Sequence, residues 1–329
     1  MSQVSALVSG AALGQAAALA ASPVLTRLYT PEEFGVLAIY ASLLGMIGIV
    51  SGLRYELAIP LTRTDGSAAN VLVVALLSVG STTLLLVVIV AMFGNDLLAW
   101  ANISYIAPYL WLLPLGVLLN GLFLIFNYWA IRRNNFNQIA YTRAQQGISG
   151  AIVQVGLGFL QIGPLGLILG QIISQSAGFI RLFRVAWSQD ASLTSRVKWR
   201  RVKQRARRYK RFPKYTTWAS LANSSSTLLP PLLFAILFSP QMAGIYILAH
   251  RTMQAPSSLI GASVGQVFHK KAADARHRGE LDALMLKAFQ RLLRISLIPL
   301  TTLGFFAPEL FALVFGEDWT QAGIYVQWM

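Results

Sequence analysis

The chain has 329 residues, 55% hydrophobic and only 12% charged, with a net charge of +15. About a quarter of an ordinary soluble domain is charged, so this composition excludes that class and points to a membrane. With no cysteine, a disulfide framework, a thiol nucleophile and a cysteine-held metal are excluded as well.

A segment of about 20 apolar residues crosses a ~30 Å hydrocarbon core. Nine such runs are predicted: Val4 to Thr26, Gly35 to Leu53, Ala69 to Phe93, Tyr105 to Ile131, Arg143 to Leu160, Leu165 to Ala186, Tyr215 to Phe238, Ala243 to Val267 and Ala288 to Phe306. A tenth begins near Gln321 and runs to Met329. Ala18-Leu19-Ala20 resembles a signal-peptidase site, but no charge precedes Arg27, so the first run is expected to remain as a membrane helix.

The third run is rich in Leu and Val, as a lipid-facing helix should be. The first instead carries Ser5, Ser9, Gln15 and Ser22, the fifth Gln145, Gln146, Ser149 and Gln154, and the seventh Thr216, Thr217, Ser220, Asn223, Ser224, Ser225, Ser226 and Thr227. Polar groups in hydrocarbon need protein or water beside them, so these helices are expected to line a wet cavity. Interhelical hydrogen bonding in a dry bundle is the alternative. Gly10/Gly14, Gly48/Gly52, Gly166/Gly170 and Gly261/Gly265 allow close helix approach, and Pro23, Pro114, Pro231 and Pro256 allow bends.

With the N-terminus inside, 25 of the 27 basic residues fall in inner loops, 13 of them between Arg181 and Lys214. Glu32, Glu33, Asp96, Glu309, Glu317 and Asp318 fall outside. The positive-inside rule therefore predicts a multi-pass protein with a cytoplasmic N-terminus. Trp187, Trp199 and Tyr209 interleave the basic stretch as they would in a nucleic-acid patch. Lying between membrane runs, it reads instead as a cytoplasmic joint facing anionic lipid headgroups, with no nucleic-acid partner.

An internal repeat organises the chain. Leu28-Tyr29-Thr30-Pro31-x-x-x-Gly35 recurs as Leu237-Phe238-Ser239-Pro240-x-x-x-Gly244, and Phe93 to Ala99 recurs as Phe306 to Ala312. The offsets, 209 and 213, map runs 1 to 3 onto runs 7 to 9. A shift of six keeps both halves in one orientation, as in transporters with parallel repeats. The expected fold is therefore an all-α polytopic membrane protein of two six-helix lobes. Residues 1–190 form the N-lobe, 191–214 a basic cytoplasmic loop and 215–329 an incomplete C-lobe.

Two charges break the repeat: Arg27 corresponds to Ile236, and Arg251, about nine residues into the eighth run, corresponds to Ser42. A central Arg costs at least ~2.5 kcal/mol to insert, so Arg251 must pair, meet water or bind an anion. His250 beside it is a titratable neighbour, and Arg54 in Arg54-Tyr55-Glu56 can pair with its own glutamate. Three histidines and short outer loops, with no phosphate loop or nucleophile motif, leave little for an enzyme to use. No catalytic residue, cofactor or metal is expected.

Thr26-Arg27-Leu28-Tyr29-Thr30-Pro31-Glu32-Glu33-Phe34-Gly35, Leu53-Arg54-Tyr55-Glu56-Leu57-Ala58-Ile59 and Phe315-Gly316-Glu317-Asp318-Trp319 with Ala322-Gly323 resemble the bacterial oligosaccharide flippases. These form the polysaccharide-transporter branch of the multidrug/oligosaccharidyl-lipid/polysaccharide exporter superfamily. The resemblance implies movement of an undecaprenyl-pyrophosphate-linked oligosaccharide, an O-antigen or other surface polysaccharide unit, across the bacterial cytoplasmic (inner) membrane by alternating access. It also implies pyrophosphate binding by cationic residues on helices 1, 2 and 8, where Arg27, Arg54 and Arg251 stand. Gln15, Gln146, Gln154, Thr217, Asn223, Ser224 and His250 are the expected cavity lining. Lipid-linked oligosaccharide, membrane lipids and other polysaccharide-assembly proteins are the expected partners. Family members have twelve or more helices, whereas this chain stops at the tenth. The alternatives are a cation-coupled drug exporter of the same superfamily and a membrane polysaccharide-assembly enzyme or scaffold.

Overall fold

The fold is given by a computed structural model, which describes residues 3–190, 192, 197–254 and 281–329. Pro256, Gly261, Gly265, His269, Lys270, Lys271, Arg276, His277 and Arg278 lie outside the described residues. Among the described residues the chain is helical, without a strand, and six helices are long and apolar enough to cross a membrane. It is a multi-pass membrane protein.

Helices α1 (Gln3–Leu28) and α2 (Pro31–Ser51) make a hairpin whose corner follows from its residues. Thr30 accepts from the Glu33 N–H at 3.3 Å, Glu33 accepts from the Thr30 N–H at 2.8 Å, and Pro31 opens the helix. This reciprocal cap satisfies two amides that the first turn would leave unpaired. A 3-10 turn at Tyr55–Ala58 leads into α3 (Asp65–Trp100), followed by α4 (Leu112–Arg132), α5 (Phe136–Phe159), α6 (Pro164–Ser176) and α7 (Phe179–Asp190). The second half holds α8 (Trp199–Arg208), α9 (Thr217–Leu237), α10 (240–254), α11 (Leu281–Phe315) and α12 (Thr320–Trp328).

The halves meet through the repeated motif itself. A Cβ on Gly35 would overlap the Pro240 carbonyl, and a Cβ on Gly244 would overlap the Pro31 carbonyl. Each repeat therefore places its glycine against the other's proline, a reciprocal contact that only two residues without side chains permit. The main core runs across this junction, from Leu37, Ile39 and Leu44 of α2 through Val117 and Ile168 to Ala243, Ile245, Phe311 and Trp319.

Several boundaries differ from the sequence reading. The run Leu165 to Ala186 is two helices, broken at Ala177–Gly178. Gly178 has φ of 89°, a left-handed backbone that disfavours any side chain, and a Cβ there would overlap Thr142. Helix α5 begins at Phe136, so Arg143 lies two turns inside a helix and not in a loop. Asp96 and Glu309 sit within α3 and α11, and Lys287 and Arg294 within α11.

The basic stretch is not a bare loop either. Its helix α8 buries Val202 against Tyr55, Ala69 and Trp129, and Lys198 N–H donates to Asn70 at 3.2 Å. Beside it Arg133 bridges Asp65, at 3.1 Å, and Asp190, which also accepts from Trp129 Nε1 at 2.9 Å. Arg132 donates to Asp65 at 2.9 Å and to the Thr62 carbonyl at 2.6 Å. The start of α3 and the ends of α4 and α7 are thereby clasped together.

Candidate functional site

Helix α10 starts at the glycine–proline junction. Arg251 lies eleven residues past Pro240, or about 16 Å at ~1.5 Å per residue, about half the thickness of a ~30 Å hydrocarbon core. Its side chain is half-buried and makes no ion pair or hydrogen bond among the described residues. A guanidinium at that depth needs an ion partner, water or an anion beside it. His250 stacks on Tyr246 at 5.7 Å, and Tyr246 stacks on Phe234 of α9 at 4.8 Å. This aromatic ladder leads from the α9–α10 seam to Arg251, and the sequence reading did not single it out.

Arg54 occupies a strained turn. Leu53 and Arg54 are both left-handed, with φ of 48° and 58°, although neither is glycine. Such backbone persists only where its surroundings over-determine it, and it concentrates at functional positions. Arg54 Nη1 is 3.6 Å from Glu56 Oε1, while Arg54 Nε and Glu56 Oε2 are buried without partners. Burial drives the Glu56 carboxyl above its ordinary value, and Arg54 only partly offsets this. Arg143 is exposed and lies 5.7 Å from the Phe123 ring, with no acidic partner among the described residues.

Sequence reasoning missed Arg143 by leaving it in a loop. The available signal was Asn134-Asn135, which ends α4 with a left-handed residue, φ 55° at Asn134, and starts α5 at Phe136.

The structure does not gather Arg27, Arg54 and Arg251 into one contact. Arg27 is exposed at the acidic end of α1, beside Thr26, whose carbonyl accepts from Trp319 Nε1 at 3.0 Å. That tryptophan also packs edge-on against Phe34 at 4.9 Å. The segments 26–35 and 315–323 thus meet at the acidic end.

The polar residues divide into two groups. Gln146 and Gln154 are buried in the α5–α6 seam, donating to the Gln175 carbonyl at 3.0 Å and the Leu167 carbonyl at 3.2 Å. Tyr29 adds a 2.8 Å bond to the Gln154 carbonyl. Thr217 is buried and donates to the Phe212 carbonyl at 3.2 Å. These three face helix backbone and not the open cavity expected of them, because an amide or hydroxyl in a tight seam finds a carbonyl closer than water. Asn223 is exposed on α9, while Ser224, Gln15 and His250 are half-buried. Only 11% of the apolar window is buried in α1, and 11% in α9, against 61% in α2. Few residues of the two repeat-related helices are thus fully buried.

On the flank between α2, α3 and α9 lies an apolar cavity of ≈ 690 Å³, walled by Leu43, Ile47, Val50, Leu86, Leu221 and Leu232.

A family model described as polysaccharide biosynthesis protein matches residues 24–323. A solved structure described as the inward-facing conformation of a multidrug resistance MATE family transporter of the MOP superfamily aligns with 98% of this chain and 74% of its own. Its TM-score is 0.55 at 16% identity, which is a likeness of fold. A crystal structure of a MATE mutant aligns at a TM-score of 0.44 and 15% identity, over 99% of this chain and 79% of that one. No curated protein matches the sequence.

Proposed function

We propose, for a chain that belongs to the polysaccharide biosynthesis protein family, that it is a membrane transporter carrying an undecaprenyl-pyrophosphate-linked oligosaccharide between the faces of the membrane. The observation that carries this reading is Arg251: a half-buried guanidinium at mid-membrane depth with no ion partner among the described residues. A pyrophosphate supplies the charge that position needs, and its ester leaves the polyprenyl tail in lipid while the sugar takes the polar side. Arg54 meets the anion at the basic end and Arg27 at the acidic end, with exposed Asn223 and half-buried Ser224 of α9 beside the sugar hydroxyls. The work is movement and involves no covalent step.

Two lobes, residues 1–190 and 215–329 joined by the basic segment 191–214, are part of the same proposal. The reciprocal Gly35 and Gly244 contacts support it, since they make the acidic end a natural pivot between equivalent halves. The cytoplasmic placement of the basic end rests on its charge.

The test is Arg251→Ala expressed in the native host. Surface polysaccharide is expected to disappear at unchanged protein level, with lipid-linked oligosaccharide accumulating in the inner leaflet. Normal surface polysaccharide would remove Arg251 from the site, and loss without accumulation would favour an assembly enzyme or scaffold.

A further inference from the structure

At the basic end, between α3, α4 and α7, lies a second apolar cavity, of ≈ 220 Å³. Its lining is graded along the helices. Ala69, Trp129, Asp190 and Val197 line it near the start of α3 and the ends of α4 and α7, whereas Leu76, Phe126 and Phe183 line it farther along those helices. From Ala69 to Leu76, or from Asp190 back to Phe183, is seven residues, about 10 Å of helix. The cavity is thus a slot with a mouth at the basic end and an apolar floor within the spans. Its aromatic wall is continuous, with Phe126 edge-on to Phe183 at 5.3 Å and Phe183 at 6.0 Å from Trp187.

The polar groups at the mouth are already bonded. Asp190 accepts from Trp129 Nε1 and from Arg133 Nε, both at 2.9 Å, and its other oxygen pairs with Arg133 Nη2. What the slot offers a ligand is apolar volume, and less of it than the roughly 300–1,000 Å³ that encloses a drug-sized molecule. A single hydrocarbon chain fits that description.

Cations stand at the same mouth. Val197, part of the lining, is followed by Lys198, whose N–H donates to Asn70 of α3 at 3.2 Å and fixes the start of α8 there. Val202 of α8 shares one apolar cluster with Leu72, Leu76, Ala186 and Val197, and Val202, Ala206 and Tyr209 recur at helical spacing on the side that meets it. Lys198, Arg200 and Arg201 are exposed and have no acidic partner among the described residues. Residues 197–214 contain no acid at all. Trp187 on the wall and Trp199 at the start of α8 are both exposed, as tryptophans at headgroup level are.

We propose that this slot and the start of α8 form a site for one anionic phospholipid of the leaflet at the basic end, with an acyl chain in the slot and the headgroup phosphate against Lys198, Arg200 and Arg201. Both parts of the site select the occupant. A sugar or a peptide would find no hydrogen-bonding partner inside the slot, and a zwitterionic lipid would bring its own cation to a cationic rim. The bound lipid bridges α7 and α8. Neither Arg251 nor Arg54 takes part, so the inference stands whether or not the chain carries an oligosaccharide.

The test uses the full chain in phosphatidylcholine vesicles containing rising fractions of phosphatidylglycerol with brominated chains, which quench tryptophan fluorescence on contact. Wild type is expected to show quenching that saturates at a low phosphatidylglycerol fraction. Brominated phosphatidylcholine at the same fractions should not give this step, and Trp187→Phe should lack it. Lys198→Gln, Arg200→Gln and Arg201→Gln combined should need about tenfold more phosphatidylglycerol. Arg207→Gln, Arg208→Gln and Lys210→Gln combined remove the same charge from the far end of α8 and should shift the step by no more than about twofold. Ala186→Leu, which fills the slot, should abolish the step, and Val73→Phe on the facing wall replaces it if Ala186→Leu does not fold. Equal quenching by the two lipids, or a step that survives in Trp187→Phe or in the filled slot, overturns the inference. Equal shifts in the two triple variants would make the basic stretch a diffuse charged surface with no site. Loss of the step to unbrominated undecaprenyl pyrophosphate at lower concentration than to unbrominated phosphatidylglycerol would give the slot to a polyprenyl lipid, and the inference would fail.

Discussion

Glu56 shows how one buried group couples stability to pH. Its carboxyl is raised above the ordinary 4.5, chiefly by burial. In the folded chain it therefore holds its proton at pH values where the unfolded chain has lost it. The stability this contributes is fully present below pH 4.5 and is lost as pH rises through the raised value. Glu56→Gln stays neutral throughout, so its thermal midpoint in detergent should fall less than that of wild type as pH is raised from about 4.5 to about 8. Parallel curves would show the carboxyl to be unperturbed. The same residue scale separates what was legible in the sequence from what was not. An Arg that breaks a repeat can be recognised in sequence, and Arg251 was. That Gln146 and Gln154 answer carbonyls of α6 cannot be, because a glutamine facing a seam and one facing water have the same side chain.

Helix ends and helix crossings carry the next set of consequences. Thr30-Pro31-Glu32-Glu33 reads as a turn in sequence, and the structure shows a reciprocal cap, so Thr30→Ala should cost about 1 kcal/mol. A lowered thermal midpoint with an unchanged fold would register it. Gly35→Ala and Gly244→Ala are expected to be more severe, since each methyl meets backbone of the opposite repeat and neither neighbour is a flexible side chain. Overpacking of this kind costs about 1–3 kcal/mol. Because the two contacts are reciprocal, both substitutions should weaken the same junction by similar amounts; a large drop for one and none for the other would argue against its symmetry. The break at Gly178 belongs to this scale as well: hydropathy sees one apolar run, whereas φ of 89° and the adjoining Thr142 make two helices.

For the whole molecule the consequence is that the two halves meet at the acidic end. Glu32 and Gln241, from the two halves, line the same cavity at the acidic end. The chain has no cysteine, so Glu32→Cys with Gln241→Cys introduces the only thiols. Joining them with a short bifunctional reagent should hold that end shut and stop export of surface polysaccharide, while either single variant treated alike should remain active. Full activity of the joined protein would mean that the two halves do not separate there. The same closure explains why segments 26–35 and 315–323 resemble a family together: Trp319 bonds the Thr26 carbonyl and packs on Phe34, so residues about 290 apart in the chain form one contact.

Sequence alone determined that this is a helical multi-pass membrane protein with a basic and an acidic end, and that two short motifs recur along it. Hydropathy, charge and repeated motifs are properties of consecutive residues, and each survives being read in one dimension. Only the tertiary structure decided which polar groups are consumed by neighbouring helices, that Arg143 stands within α5 beside Phe123 and not in a loop, and that the repeated glycines touch each other's prolines. Those facts depend on which faces meet across segments separated by tens to hundreds of residues, and packing sets that with no trace in local composition.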